Sequence, residues 1–335
     1  MIRSLGFVAA LILLNSAWAF PGPNFLPLSE DQHELLVTIL NWLLALCLVC
    51  EVNTELSRWA EDKWIWKDDK SVWNWGNEVA VITGGSKGIG AMVVKTLVSY
   101  GIRVAVLDVE PLSDVFLSEE SNSINFYKCD ITSRVQVHEA GEAIRSDFGS
   151  PSILVNNAGI GNANTILESS PEGLRTIFEV NLLSHWNTVQ EFLPDMIAKK
   201  KGHIMSVASL AAFFGLAGMT DYSCTKAGLI AFHEGLTQEL KHRYSCPQIK
   251  TTIVYPNWTR TRLIRAIEKG IRGPVMDPKD VAEAMAKQII SAKGGQVILG
   301  PNIAASIRAL PTWLQEFIRD RMAHIVTVKA TTAVA

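Results

Sequence analysis

Between residues 79 and 299 the chain alternates two kinds of segment, and this alternation constrains its fold more than any other feature. Short runs rich in β-branched and aliphatic residues fall at Val79 to Thr83, Arg103 to Leu107, Ile124 to Lys128, Ile153 to Val155, His203 to Val207, Lys250 to Val254 and Gln296 to Leu299. Each has the length of one strand, and the stretches between them carry apolar residues at helical spacing. Strand and helix repeated in this order imply a parallel sheet with helices on both faces. The expected fold class is α/β, a doubly wound parallel sheet of Rossmann type. With 335 residues, 48% of them hydrophobic, there is material for one such domain plus a tail.

The first fifty residues do not fit that pattern. Leu5 to Leu14 is apolar after Arg3, and Ala17-Trp18-Ala19 has the small residues of a signal-peptide cleavage site. A second apolar run covers Leu35 to Cys50, and between the two lie Pro21, Pro23, Pro27, Glu30, Asp31, His33 and Glu34. Those prolines and charges neither continue a helix nor rest in hydrocarbon, so the linker is expected to reach water or headgroups. Each run is shorter than the roughly 20 residues of an upright span. A tilted pair, a shallow hairpin or a cleaved signal with one span all remain open, and each leaves the downstream domain on the cytosolic side; only a cleaved signal followed by a non-inserting second run would make it lumenal. A core helix of a soluble protein is the competing reading of Leu35 to Cys50. The expected organisation is residues 1–52 as membrane-anchoring segments, 53–76 as a juxtamembrane linker, 77–300 as a single catalytic domain, and 301–335 as an amphipathic tail. Trp59, Trp64, Trp66, Trp73 and Trp75, with Trp42 before them and Lys63, Lys67 and Lys70 between, suit a headgroup layer or packing against the domain.

Charge and cysteine content exclude several classes of function. The net charge is -2 with no block of Lys or Arg, so no nucleic acid partner is expected. Five cysteines at 47, 50, 129, 224 and 246 make an odd count without metal-ligand spacing, which argues for a reducing compartment and no metal. Cys47 and Cys50 lie inside the apolar run, outside the setting of a redox pair.

The turn Thr83-Gly84-Gly85-Ser86-Lys87-Gly88-Ile89-Gly90 joins the first strand to the first long helix of the domain. Glycines at 84, 88 and 90 allow unusual dihedrals and close approach of a pyrophosphate to the backbone and helix N-terminus. Asp108 ends the second strand, where a carboxylate accepts hydrogen bonds from the adenosine ribose and repels the extra phosphate of NADP. Lys87 argues the other way. NAD(H) is favoured on the ribose contact, with NADP(H) left open.

With this turn the chain resembles the short-chain dehydrogenase/reductase family, over about Asn77 to Gly300. The turn matches that family's T-G-x-x-x-G-x-G spacing, Asp130 with Ile131 matches the position beside the adenine, and Asn156-Asn157-Ala158-Gly159 matches its N-N-A-G motif. Ser209, Tyr222 and Lys226 have the spacing of its catalytic triad, with Asn181 at the fourth position. The resemblance implies cofactor contacts from Gly84, Ser86, Lys87, Gly88, Ile89, Gly90, Asp108, Asp130, Ile131, Asn157, Ala158, Gly159, Tyr222 and Lys226. It adds Pro256, Thr259 and Thr261, from a segment in which Asn257 stands where the family has glycine. Asn tolerates left-handed dihedrals, so the turn is expected to survive.

Those residue types suit hydroxyl–carbonyl interconversion. A lysine ammonium and an oxidised nicotinamide both favour the phenolate of Tyr222 and lower its pKa, letting it take or give the substrate proton. Ser209 is placed to hydrogen-bond the substrate oxygen, Lys226 to hold the nicotinamide ribose, and Asn181 to fix a water that links Lys226 to solvent. In the tail, Ile303, Ile307, Leu310, Leu314, Phe317 and Ile318 recur at helical spacing, with Trp313, Arg308, Arg319 and Arg321 nearby and Pro311 interrupting. This suits an interfacial helix or a packing helix. Membrane-anchored members of the family act on retinoids, steroids and long-chain alcohols or aldehydes, which implies a lipophilic small-molecule substrate. The apolar N-terminal runs point to contact with membrane lipid of the endoplasmic reticulum or a lipid droplet, and a homodimer is one assembly left open. A catalytically silent protein holding lipid or cofactor on this fold is the competing function.

Overall fold

The structure is a computed structural model that describes residues 6–13, 29–65, 70–113, 116, 123–265, 268, 271, 274–301 and 303–322. The Ala17-Trp18-Ala19 site, the three prolines at 21, 23 and 27, Trp66, Lys67 and the last thirteen residues lie outside that set. Two compact units divide the chain, Met1–Trp64 and Ile65–Ala335.

The first unit holds a short helix α1 (residues 6–13) and a long one, α2 (Glu30–Glu61). The charged residues Glu30 to Glu34, expected in a linker, instead form the first turns of α2. Local chemistry accounts for the difference: the Ser29 hydroxyl accepts from the Gln32 amide, and the Gln32 side chain accepts from the Ser29 amide, a capping box that starts the helix before its apolar stretch. The acids of that first turn also meet the positive end of the helix dipole. At the far end α2 passes residue 52 without a break. Its 32 residues make a rod of about 48 Å, long enough and apolar enough to cross a membrane, and none of its side chains is buried. The expectation of a run too short for an upright span is thereby corrected, and a buried core helix is not what forms. Trp42 is exposed, and Trp59 and Trp64 meet edge to face at 4.9 Å.

The second unit is a seven-stranded, all-parallel sheet: β1 (Val79–Thr83), β2 (Arg103–Asp108), β3 (Ile124–Lys128), β4 (Ile153–Asn156), β5 (His203–Val207), β6 (Lys250–Pro256) and β7 (Gly295–Leu299). The order is β3-β2-β1-β4-β5-β6-β7, so the connection reverses sides between β1 and β4. A crevice opens at such a reversal, outside the carboxyl ends of the strands. Alternate residues feed two cores. Val79, Val81, Leu107, Leu154 and Ile204 meet side chains from α4 (Arg134–Phe148), α6 (Ser184–Lys199) and α7 (Thr220–His242). Ala80, Ile82, Val104, Val106, Val155 and Met205 meet those of α3 (Gly88–Ser99) and α8 (Pro278–Ile290). Burial on both faces is why these strands read as unbroken apolar runs.

Trp73 and Trp75 stack at 5.1 Å and pack against the second core, the packing alternative for those two rings. Beneath them the buried Glu78 carboxylate accepts from Lys201 Nζ at 2.7 Å and from the Ser152 hydroxyl at 2.5 Å. The Lys201 ammonium lies 5.3 Å from the Trp73 ring centroid.

Candidate active site

A cleft of about 420 Å³ lies at the carboxyl ends of the strands, at the reversal between β1 and β4. Its floor is the turn after β1. Gly84 has φ +64° and Gly88 φ +60°, both in the left-handed region. A Cβ at Gly84 would come 2.8 Å from Ala158 Cα, and one at Gly90 would come 2.2 Å from the Gly84 carbonyl oxygen, so neither position admits a side chain. The turn is stapled to the segment after β4. Thr83 Oγ1 accepts from the amides of Asn157 and Ala158 at 3.0 and 3.1 Å, and Asn157 Nδ2 donates to the carbonyls of Thr83 and Gly84 at 3.0 Å. These bonds leave the N-terminus of α3 open towards the cleft, a site for an anionic group.

At one end of the cleft stand five charged residues, Lys87, Asp108, Glu110, Asp130 and Arg262. Asp108 accepts from the amides of Ser86 and Glu110, each at 3.0 Å. The Glu110 carboxylate pairs with Lys87 Nζ and accepts from Arg262 Nη1 at 3.1 and 3.2 Å. The Lys87 hydrogen bond and charge, followed by Arg262, hold the Glu110 carboxyl below its usual range. Asp130 accepts from the amide and hydroxyl of Thr132 at 3.0 and 2.8 Å.

At the other end, β5 delivers Ser209, whose hydroxyl accepts from the Ala211 amide at 3.2 Å and opens a short turn over Leu210–Ala212. The first turns of α7 carry Tyr222 and Lys226 four residues apart, on one face of the helix. Both are buried. Lys226 Nζ donates to the Val207 carbonyl at 2.8 Å and sits 5.6 Å from the centre of the Tyr222 ring. Burial pushes the Tyr222 phenol up to about 12, offset in part by a hydrogen bond from Ser209. Burial also lowers Lys226 to about 8. Among the protein's own groups, burial dominates the Tyr222 phenol. The ammonium is directed at a carbonyl, and the cost of desolvating a phenolate outweighs the rest.

Asn181 falls in a π-helical turn, Glu179–Leu183, between α5 (Pro171–Phe178) and α6. Its side chain accepts from the Ile160 amide and donates to the Ile160 carbonyl, both at 2.8 Å, and donates to Thr225 Oγ1 at 3.3 Å. These bonds tie the segment after β4 to α7.

The cleft wall thus brings together Gly84, Lys87, Gly88, Ile89, Asp108, Asp130, Ile131, Asn157, Ala158, Gly159, Ser209, Tyr222, Lys226, Pro256, Thr259 and Thr261. Ser86, Gly90 and Asn181 stand behind that wall. Asn257 lies in it but not among the residues of positive φ, so this turn forms without the left-handed conformation expected there. Its amide donates to the Leu299 carbonyl at 3.0 Å, and Thr259 Oγ1 donates to the Asn257 carbonyl at 2.8 Å.

Sequence reasoning missed Glu110, Arg262, Phe214, Trp258 and Met322, which also line the cleft. It missed His185 too, buried near Lys226 and lowered to about 3 by burial first and the Lys226 charge second. Away from the cleft, His138, Glu142 and Glu191 come together on α4 and α6, where Arg145 pairs with both acids at 2.8 and 2.6 Å.

The model of the short chain dehydrogenase family matches residues 78–272. A dehydrogenase of Cochliobolus heterostrophus, RED2, is 42% identical over 183 residues, 55% of this chain and 68% of that one. Estradiol 17-beta-dehydrogenase 11 of Mus musculus is 27% identical over 267 residues, 78% of this chain and 87% of that one. Among solved structures, a short chain dehydrogenase/reductase of Burkholderia phymatum in complex with NAD shares the fold, with a TM-score of 0.64 at 22% identity, covering 69% of this chain and 92% of that one.

Proposed function

Since the chain belongs to the short chain dehydrogenase family of oxidoreductases, we propose that it interconverts a hydroxyl and a carbonyl group on a lipophilic substrate, with Tyr222 exchanging the proton at the substrate oxygen. The observation that carries this reading is convergence: Ser209, Tyr222 and Lys226 share one cleft with the glycine turn, so the residues that would hold a dinucleotide and those that would move the proton line the same space. The cradle suits such a group, because a Cβ at Gly84 would collide with Ala158 and one at Gly90 with the Gly84 carbonyl, so only glycine there keeps the tight turn that would present its amides to a pyrophosphate.

When bound, the nicotinamide supplies or accepts the hydride at the substrate carbon. The chain's part is the proton and the charge. In the oxidising direction the hydroxyl proton passes to Tyr222 Oη as the carbonyl forms; in the reducing direction Tyr222 returns it. Ser209 faces the same oxygen as a donor where negative charge develops. Lys226 would hold the nicotinamide ribose and, charged below about pH 8, would favour proton loss from the phenol. Asn181 positions the segment after β4 beside them. Asp108 would hold the adenosine ribose, and on that ground NAD(H) is preferred.

Two features support a lipophilic substrate. A second, apolar cavity of about 1320 Å³ runs among β7, α9 (Ile303–Ser306) and α10 (Thr312–Met322) and shares Leu210, Phe214, Asn257, Trp258 and Met322 with the cleft. The long apolar helix α2 fits a membrane segment, and attachment to the endoplasmic reticulum or a lipid droplet, with the second unit facing the cytosol, delivers such substrates. The test is turnover of retinal, a ketosteroid and a fatty aldehyde with NADH and NADPH. Tyr222→Phe is expected to lower kcat about 10²- to 10⁴-fold while nucleotide binding persists. Near wild-type turnover in that variant would sink the assignment.

A further inference from the structure

We propose that Glu110 decides which dinucleotide the cleft accepts, by occupying the two cations that would otherwise receive a ribose 2′-phosphate. This rests on the reading above that the cleft takes a nicotinamide dinucleotide.

The geometry is that of a clasp. Glu110 follows the strand-end acid Asp108 by two residues, and its backbone is pinned on both sides: its amide donates to Asp108 at 3.0 Å, and its carbonyl accepts from the Ser86 hydroxyl at 2.8 Å. The side chain therefore leaves β2 in one direction. It meets Lys87, the last residue before α3, and Arg262, from the segment beyond β6, with one carboxylate shared between two cations from different parts of the chain. Lys87, Asp108, Glu110 and Arg262 all line the cleft beside the glycine turn.

Charge arithmetic turns this arrangement into selectivity. Two cations and two carboxylates cancel, so the corner where the adenosine ribose would lie carries no net charge. A 2′-phosphate brings about -1.5 to -2 and must displace Glu110 from both partners before it gains either. A 2′-hydroxyl needs only Asp108, whose oxygens keep lone pairs beside the two backbone amides. Lys87 alone would suggest the phosphorylated cofactor. Its engagement by Glu110, invisible in a short motif, reverses that preference. Neutralising Glu110 leaves the corner at +1 with a lysine and an arginine free to form charge-assisted bonds to phosphate.

The test uses the full chain and two fragments that differ only in the group at issue, 5′-AMP and adenosine 2′,5′-bisphosphate, titrated by calorimetry. Wild type is expected to bind 5′-AMP at least as tightly as the bisphosphate. Glu110→Gln is expected to shift the affinity ratio towards the bisphosphate by about tenfold, the size of one charge-assisted hydrogen bond. Adding Lys87→Gln to that variant is expected to remove most of the shift. Retained 5′-AMP binding shows that the variants are folded. An unchanged ratio in Glu110→Gln, with 5′-AMP still bound, overturns the inference alone. Failure of the wild-type chain to bind either fragment overturns the dinucleotide reading and this inference with it.

Discussion

Tyr222 and Lys226 stand four residues apart on a buried helical face, and burial moves them in opposite directions, the phenol up to about 12 and the ammonium down to about 8. Stability should register both. Between about pH 8 and 10 an unfolded chain keeps a proton on Lys226 that the folded chain has released. The unfolded state then binds more protons, and stability rises with pH through this window. For Tyr222 the sign is opposite: from about pH 10 to 12 the folded phenol keeps a proton that the unfolded one loses, so stability falls. Urea midpoints of wild type and Lys226→Met, measured from pH 7.5 to 10, should diverge in favour of wild type as pH rises. A pH-independent gap would refute the placement of this lysine. At this scale the sequence was informative wherever chemistry depends on neighbours in the chain. Gly84, Asp108, Tyr222 and Lys226 could be read from local spacing, whereas Glu110 and Arg262, 152 positions apart, share no periodicity that marks their contact.

Elements were legible to the degree that burial shaped them. The seven β-branched runs became the seven strands because a sheet covered on both faces admits only such residues, and β2 gained no more than Asp108 at its end. The limits of α2 were not legible, since its first turn and most of its last nine residues are polar and owe their helical state to capping and propensity. The π-helical turn holding Asn181 has no compositional signature at all. One cross-element contact carries its own prediction. Glu78, just before β1, is 4% exposed in its side chain and depends on Lys201, which leads into β5 and is one-fifth exposed. Lys201→Met leaves a buried carboxylate with only the Ser152 hydroxyl and the Asn74 amide as neutral donors and should cost about 2–4 kcal/mol, read from urea unfolding. A loss below about 0.5 kcal/mol would place that pair with the weak ion pairs of the surface.

On the scale of the whole molecule, the two units have unlike surfaces. The second has cores on both faces of its sheet, while α2 buries none of its side chains. The full chain should stay with the pellet after alkaline carbonate extraction, and a chain beginning at Ile65 should move to the supernatant yet still bind 5′-AMP. Recovery of the full chain in the supernatant would remove the membrane from this account.

The staple between Thr83 and Asn157 also sets a timetable for biosynthesis. A ribosome that has delivered the glycine turn has made its residues but not its shape, because the amides and the side-chain amide that hold it arrive 73 to 75 positions later. Nascent chains ending before β4 lack the groups that hold the glycine turn in shape. The turn can take its final shape only once Asn157 and Ala158 have left the tunnel and β4 pairs beside β1.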